Sequence, residues 1–179
     1  MRGVARRYAR ALVSYSVENG VDLDGMIANL KSVVDFLGKN VDIKRYLLSP
    51  IISRSEKLEF AKELFGKLNL PDYLVNFCLL LVEKDRLGIF DLVYEEVVDE
   101  VDRRNNRVRG TLKLATEVDR DMVESIRKVF EEKLNKEVLF NVVVDPSIIG
   151  GVVVEIGGYV FDGSIMKSLE QLREKMIEG

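Results

Sequence analysis

Apolar residues recur every three or four positions through roughly the first hundred residues, the spacing that places side chains on one side of an α-helix. The stretch after Asp22 shows this spacing most clearly, and the carboxylate of Asp22 is placed to cap the helix N-terminus. The apolar members of the stripe are Leu23, Met26, Ile27, Leu30, Val33, Val34 and Leu37. A stripe of this width predicts a helix that packs against other helices.

Local signals mark where the helices of this region begin and end. Ser49-Pro50 is expected to end a short third helix, because the residue before proline avoids the helical conformation. Ser53 and Glu56 have the spacing of a capping box that opens the fourth helix. Pro71 suits the first turn of the fifth, and a sixth follows Gly88. Six helices with short connections predict an antiparallel bundle.

After Asn106 the hydrophobic pattern changes to a period of two, which indicates strands. The first strand has Val108, Gly110, Leu112 and Leu114 on one face and Arg107, Arg109, Thr111 and Lys113 on a face predicted to meet water. The second strand is predicted to alternate through Val138, Phe140, Val142 and Val144.

A helix is predicted between these two strands, with Asp119 as its cap. Its expected buried stripe is Met122, Val123, Ile126, Val129, Phe130 and Leu134. Gly157-Gly158 then suits the positive backbone dihedrals of a hairpin turn between strands 152–156 and 159–161. A final helix is predicted from near Ser164, with Ile165, Leu169, Leu172 and Met176 as its apolar residues.

The predicted fold class is therefore α+β, in two domains. Residues 1–105 form a six-helix antiparallel bundle, and residues 106–179 form a small mixed α/β domain with a β-hairpin. The boundary is placed near Asn105, where the sequence turns polar and basic.

Composition narrows the possible functions. The 179 residues include no histidine, which removes the commonest general base and the commonest metal ligand, and the net charge of -3 provides no global attraction for nucleic acid. The single cysteine, Cys78, lies in an apolar run, so we expect a buried, inert thiol. No apolar run is long enough to span a bilayer, and the N-terminus does not have the pattern of a signal peptide.

Three short patterns could carry chemistry, but each has a simpler structural interpretation. The glycines from Gly150 to Gly158 bracket a strand and do not open a helix, unlike those of a phosphate-binding loop. Asp145 and Asp162 adjoin turns, where aspartate commonly makes local hydrogen bonds. The basic segment 103–109 lacks interleaved aromatic residues for stacking on bases. We expect no catalytic, cofactor-binding or metal-binding residues.

The first and fifth helices carry more apolar surface than packing on one side explains. On the first helix, one arc holds Val4, Tyr8, Ala11, Leu12 and Tyr15, and small residues including Ala5 and Ala9 extend it. Either part of this wide arc receives a helix from a partner, or both parts pack inside the bundle. On the fifth helix, Leu80 projects beside Tyr73 and Asn76 on the face expected to meet water, where it could complete a groove.

The stretch from Asp145 to Ser164, with Leu169 and Leu172 beyond it, resembles the C-terminal signature of the ATP synthase delta subunits and their mitochondrial oligomycin-sensitivity relatives. Val4-Ala5-Arg6-Arg7-Tyr8-Ala9-Arg10-Ala11-Leu12 resembles the opening helix of that family, and Glu83-Lys84-Asp85-Arg86-Leu87 resembles the end of its fifth helix. Glu155 lies where a basic residue is frequent, and Gly158 where aspartate is frequent, which leaves electrostatic contacts at the hairpin open.

The resemblance implies a non-catalytic stator subunit of a proton- or sodium-translocating F-type ATP synthase, present in one copy at the cytoplasmic face of the cell membrane. Domain 1–105 would bind N-terminal helices of the alpha subunits, and domain 106–179 would bind the b subunits of the peripheral stalk. The expected alpha-subunit contacts are Ala5, Tyr8, Ala9, Ala11, Leu12, Tyr73, Asn76 and Leu80. The alternative is a small RNA-binding module that uses the basic segment and the mixed C-terminal domain.

Overall fold

A computed structural model describes residues 1–148 and 150–164, which form seven α-helices, one 3₁₀ turn and a four-stranded sheet. The elements in the first part are α1 (Arg2–Glu18), α2 (Leu23–Lys39), α3 (Val41–Leu48), α4 (Arg54–Gly66), α5 (Asp72–Glu83), the 3₁₀ turn Leu87–Ile89 and α6 (Phe90–Arg104). They are followed by β1 (Arg107–Leu114), α7 (Arg120–Leu134), β2 (Glu137–Val144), β3 (Val152–Ile156) and β4 (Tyr159–Asp162). The α+β class is confirmed, and the final helix expected after Ser164 lies outside the described residues.

The chain divides into two compact units, Met1–Val101 and the residues from Asp102 onward. The boundary drawn from the sequence near Asn105 thus falls a few residues inside the second unit.

Capping side chains begin two helices of the first unit where the sequence predicts them. The carboxylate of Asp22 accepts hydrogen bonds from the backbone N–H groups of Asp24 and Gly25, at 3.2 and 3.0 Å. Ser53 and Glu56 form the reciprocal capping box that opens α4. Pro71 is the N-cap residue of α5 and lies just outside the first turn in which it was predicted.

All six helices of the first unit contribute to one apolar core. Its largest fully buried side chains include Phe65, Phe90, Met26, Leu30, Leu37, Leu47, Leu74 and Leu81. On α1 the fully buried apolar side chains are all small, namely Ala5, Ala9 and Val13. This line of small side chains faces the core of the first unit.

Arginines on the side of α1 bind carboxylates of α6. The guanidinium of Arg6 donates to Glu96 at 2.9 Å, and Arg2 and Arg10 lie 3.7 Å from Glu96 and Glu100. Glu96 is only 4% exposed, and its ion pairs with Arg2 and Arg6 offset part of the free-energy cost of removing its carboxylate from water. The hydrogen bond to Glu96 also raises the pKa of Arg6. These ion pairs favour one rotation of α1 about its own axis.

The sheet of the second unit has the strand order β2-β1-β3-β4, with β1 parallel to β2 and antiparallel to β3. Helix α7 packs against one face of it. That shared core contains Leu112, Leu114, Val138, Val154 and Ile156 from the strands and Val123, Ile126, Phe130 and Leu134 from α7. The opposite face carries the polar residues of β1, as predicted.

One prediction for this unit is wrong and two details differ from the sequence pattern. Met122 and Val129, expected to be buried, are 55% and 49% exposed, because they lie to one side of the row of α7 residues that packs against the sheet. Val142 and Val144 are exposed at the end of β2, which lies at one edge of the four-stranded order. Asp119 is the N-cap residue of α7, but its side chain makes no capping hydrogen bond within the described structure.

The glycine cluster shapes the backbone around β3. Gly157 and Gly158, with φ of 59° and 84°, form the predicted two-residue hairpin turn between β3 and β4. Gly151 has a φ of 89°, and a Cβ added there would collide with the carbonyl oxygen of Gly163. Nearby, Glu155 accepts a hydrogen bond from Lys113 on β1 at 2.5 Å, which raises the pKa of that lysine.

We predict that Gly151→Ala destabilises the second unit, because the added methyl group meets backbone at a positive φ. The free energy of unfolding should fall by at least about 2 kcal/mol in chemical denaturation followed by circular dichroism. Gly157→Asn is the matched control, since Asn-Gly favours this hairpin turn and the site is open; it should change stability by less than about 0.5 kcal/mol. Equal stability of the two variants would contradict the steric role of Gly151.

Candidate helix-binding groove

A surface groove of about 330 Å³ lies between α1 and α5, inside the first unit. Its lining is formed by Tyr8, Ala11, Leu12, Tyr15, Tyr73, Asn76, Phe77 and Leu80. All eight residues come from these two helices, so the groove follows directly from how the two helices pack.

Helical periodicity places each set of lining residues on one face of its helix. On α1 the set runs from Tyr8 to Tyr15 in steps of three and four, and on α5 it runs from Tyr73 to Leu80 in the same way. Seven residues of helix rise about 10 Å, so the groove is about two helical turns long.

Two aromatic pairs connect the helices across the groove. The rings of Tyr8 and Phe77 meet edge to face with centroids 6.4 Å apart, and those of Tyr15 and Tyr73 lie 6.1 Å apart. Along α1 the contacts run from Tyr8 to Tyr15, whereas their partners on α5 run backwards, from Phe77 to Tyr73. The two helices therefore run in opposite directions along the groove.

The floor of the groove is buried and its walls are open. Leu12 and Phe77 are 5% and 8% exposed, whereas Tyr15 and Leu80 are 48% and 39% exposed. Ala11 is exposed and Asn76 is exposed, so a small side chain and a polar amide also face this space. The exposed apolar side chains make the groove suited to an apolar surface from a partner.

Six of the eight candidate residues named from the sequence line the groove, namely Tyr8, Ala11, Leu12, Tyr73, Asn76 and Leu80. Ala5 and Ala9 do not line it, because both are fully buried in the core. For these two alanines the structure supports the second alternative, packing inside the first unit. Tyr15 and Phe77 are lining residues that the candidate set lacks. Tyr15 had the signal of lying on the same arc as Tyr8, while Phe77 is indistinguishable from core residues in sequence.

The groove is weakly polarised at one end. Burial raises the pKa of the Tyr73 hydroxyl, and the charge of Asp22 and the neighbouring Tyr15 raise it further. This tyrosine therefore stays neutral and can donate a hydrogen bond from the rim of an otherwise apolar surface.

The other candidate patterns have structural partners. In the basic segment, Arg109 binds Asp102 through two hydrogen bonds of 2.6 and 3.1 Å, and Arg107 binds Glu137 at 2.7 Å. These carboxylates neutralise positive charge on the arginines that would be needed to bind the phosphates of a nucleic acid. Asp145 accepts from the backbone N–H and hydroxyl of Ser147, which lowers its pKa.

Asp162 likewise accepts from the backbone N–H of Ser164 at 2.9 Å. Residues 1–148 and 150–164 contain no cluster of three or more cysteine or carboxylate side chains that could hold a metal ion. Across the same residues, every helix is too short or too polar to cross a bilayer.

Comparison with known proteins gives a consistent result over nearly the whole chain. A family model described as ATP synthase delta (OSCP) subunit matches residues 4–176. The ATP synthase subunit delta of Citrifermentans bemidjiense is 33% identical over 176 residues, covering 98% of this chain and 97% of that protein. The subunit delta of Myxococcus xanthus is 30% identical over 175 residues, covering 97% and 96%.

A solved structure shares the fold. One chain of the cryo-EM structure of the Toxoplasma gondii mitochondrial ATP synthase hexamer superposes with a TM-score of 0.64 at 19% identity, covering 97% of both chains. At this identity the likeness concerns the fold alone.

Cys78 lies on α5 behind the groove floor and provides a test of how well this helix is packed. It is fully buried, and burial raises the pKa of its thiol from 9.0 to about 12. At pH 8 the native protein should therefore hold about a thousandfold less thiolate than the unfolded chain, in addition to steric protection. We predict slow reaction with a thiol reagent in buffer and fast, stoichiometric reaction in denaturant; equal rates would show that α5 is not buried as described.

Proposed function

The chain belongs to the ATP synthase delta (OSCP) subunit family, and on that premise we propose that it is a non-catalytic stator subunit of an F-type ATP synthase. In this role it links the catalytic sector to the peripheral stalk and resists the torque of the rotor. One copy per complex lies at the cytoplasmic face of the membrane, held there by its partners. The coupling ion is a proton or a sodium ion.

The first domain, residues 1–105 and proposed to be a six-helix antiparallel bundle, binds an N-terminal helix of an alpha subunit. The observation that carries this proposal is the apolar groove between α1 and α5, with Leu80 exposed at its rim. A groove of two turns, open to solvent and floored by Leu12 and Phe77, has the form that accepts the apolar face of an amphipathic helix. Tyr8, Ala11, Tyr73 and Asn76 complete the contact.

The second domain, residues 106–179, binds the b subunits. Its sheet presents exposed valines at the end of β2 and exposed aromatic residues on β4, among them Val142, Val144, Tyr159 and Phe161. These apolar side chains are a reason to look for a partner on this domain. The same proposal assigns no catalytic step to the chain, and the groove lining consists of four apolar side chains, three tyrosines and one amide.

An apolar contact suits a stator. Hydrophobic burial depends on ionic strength far less than surface ion pairs do, because salt screens the attraction between exposed charges. A helix seated in the groove would thus stay bound over the range of salt that a cell experiences.

We predict that Leu80→Glu and Ala11→Glu each weaken binding of a synthetic alpha-subunit N-terminal peptide by at least about tenfold, or about 1.4 kcal/mol. The reason is that each places a carboxylate in a contact that excludes water. Isothermal titration calorimetry with the purified full chain measures the affinity.

Val17→Glu is the matched control for these two variants. Val17 lies on α1 and is 47% exposed, but it does not line the groove. All three variants should keep the circular dichroism spectrum of the parent, and Val17→Glu should keep its affinity. Unchanged affinity in Leu80→Glu, with an unchanged spectrum, would count against the groove as the alpha-subunit site.

A second prediction concerns the whole complex. Tagged chain purified from solubilised membranes should carry both alpha and b subunits, and Leu80→Glu should lower the ratio of alpha to b without loss of b. Immunoblotting of the purified material measures this ratio. Recovery of the tagged chain with neither subunit, or with RNA in their place, would overturn the stator proposal.

A further inference from the structure

The two ends of the groove differ in charge. Because α1 and α5 are antiparallel here, the end with Tyr15 and Tyr73 is where α1 finishes and α5 starts. Glu18 follows Tyr15 by three residues, and Asp72 lies four residues before Asn76, so both carboxylates border the lining face. Asp22 acts on the Tyr73 hydroxyl from the start of α2. We call this the acidic end.

The opposite end, beside Tyr8 and Leu80, is bordered by cations. Arg7 lies four residues before Ala11, and Lys84 lies four residues after Leu80. Glu83, three residues after Leu80, also borders this end, but it is shared between Lys84 at 3.2 Å and Arg54 at 3.3 Å, so the cations here outnumber the carboxylate. We call this the basic end.

Helix dipoles do not remove this difference. The dipoles of α1 and α5 oppose each other along the groove, because the helices are antiparallel. The N-terminus of α2 adds about half a positive charge at the acidic end, which offsets only part of the charge on Glu18, Asp22 and Asp72. The side chains therefore decide the sign at each end.

We propose that the groove accepts a partner helix in one direction only, with its N-terminal end at the acidic end and its C-terminal end at the basic end. The helix then runs parallel to α5 and antiparallel to α1. The inference rests on the helix-binding function proposed above and adds the chemistry of the partner. The partner is an amphipathic helix with an apolar face of two turns, cationic groups before that face and anionic groups after it.

The preference for one direction depends on charge complementarity between the partner helix and the two ends of the groove. A single exposed ion pair changes affinity only a few-fold, but the two ends act together and their signs are opposite. We therefore expect roughly a tenfold preference between the two directions at low salt, and a smaller one as salt screens the charges.

Two designed peptides of equal length and with the same apolar face test the direction. One has lysines in its first turn and glutamates in its last turn, and the other has these charges exchanged. The exchanged peptide is the better helix former alone, because its charges complement its own dipole. We expect the first peptide to bind roughly tenfold more tightly in calorimetry at low salt. A difference in helix propensity cannot produce this result, because it favours the exchanged peptide.

A spin label on the peptide measures the direction of the bound helix in the groove. A nitroxide at the N-terminus of the bound first peptide should broaden the amide NMR signals of Tyr15 and Tyr73 more than those of Tyr8 and Leu80. A nitroxide at its C-terminus should do the reverse.

The double variant Glu18→Gln with Asp72→Asn should reduce the preference to about twofold or less, since a few-fold change is what each removed charge provides. Asp42→Asn with Glu59→Gln is the matched control, because it removes two exposed carboxylates on α3 and α4 and should leave the preference unchanged.

Each outcome of these experiments decides between the proposals. Equal affinities, equal broadening at both ends, or a preference for the exchanged peptide would overturn the direction while the groove remained a helix site. Binding of neither peptide would contradict the direction and the helix-binding function together. An alpha-subunit peptide that binds with the reversed broadening pattern would overturn the direction alone.

Discussion

The burial of Ala5 and Ala9 is the constraint that places α1 in the first unit. Both side chains have no exposed surface, so a larger residue at either position would have to displace close-packed neighbours. With α1 held there, the larger Tyr8 and Tyr15 lie to one side and meet Phe77 and Tyr73 of α5. The groove is the space that these unequal side chains leave.

The rotation of α1 is as restricted as its position. One side of the helix packs in the core, a second binds α6 through arginines, and a third lines the groove. Turning the helix would expose the alanines or separate Arg6 from Glu96, whose carboxylate is only 4% exposed. The groove therefore has a defined shape before any partner binds, which lowers the entropy cost of binding.

Sequence patterns predicted the elements well where the signal is local. Caps at Asp22 and Ser53, the end of α3 before Pro50 and the hairpin glycines all depend on a few adjacent residues. Projecting the α5 sequence onto a helix also identified Leu80 as an apolar residue on the face expected to meet water. Tertiary neighbours decided the rest: a projection shows that Ala5 and Ala9 share a wide arc with Tyr8, but not which part of that arc meets the protein's own core.

The same limit applies in the second unit. Alternation along β2 predicts one buried face, yet Val142 and Val144 are exposed, because strand order and the reach of α7 determine what is covered. Phe77 shows the converse case, where a residue with 8% exposure belongs both to the core and to the groove floor. The spacing of residues along one element predicts neither the exposure of these valines nor the double role of Phe77.

The groove between α1 and α5 runs lengthwise along both helices, and this geometry determines how a bound helix would fail under mechanical load. A pull along the helix axis is a shear, in which the contacts at Tyr8, Phe77 and Tyr73 must all give way at once. A pull across the axis peels the helix from one end, so the contacts break one after another at a lower force. A joint that carries torque is therefore strongest when the load reaches it along the groove.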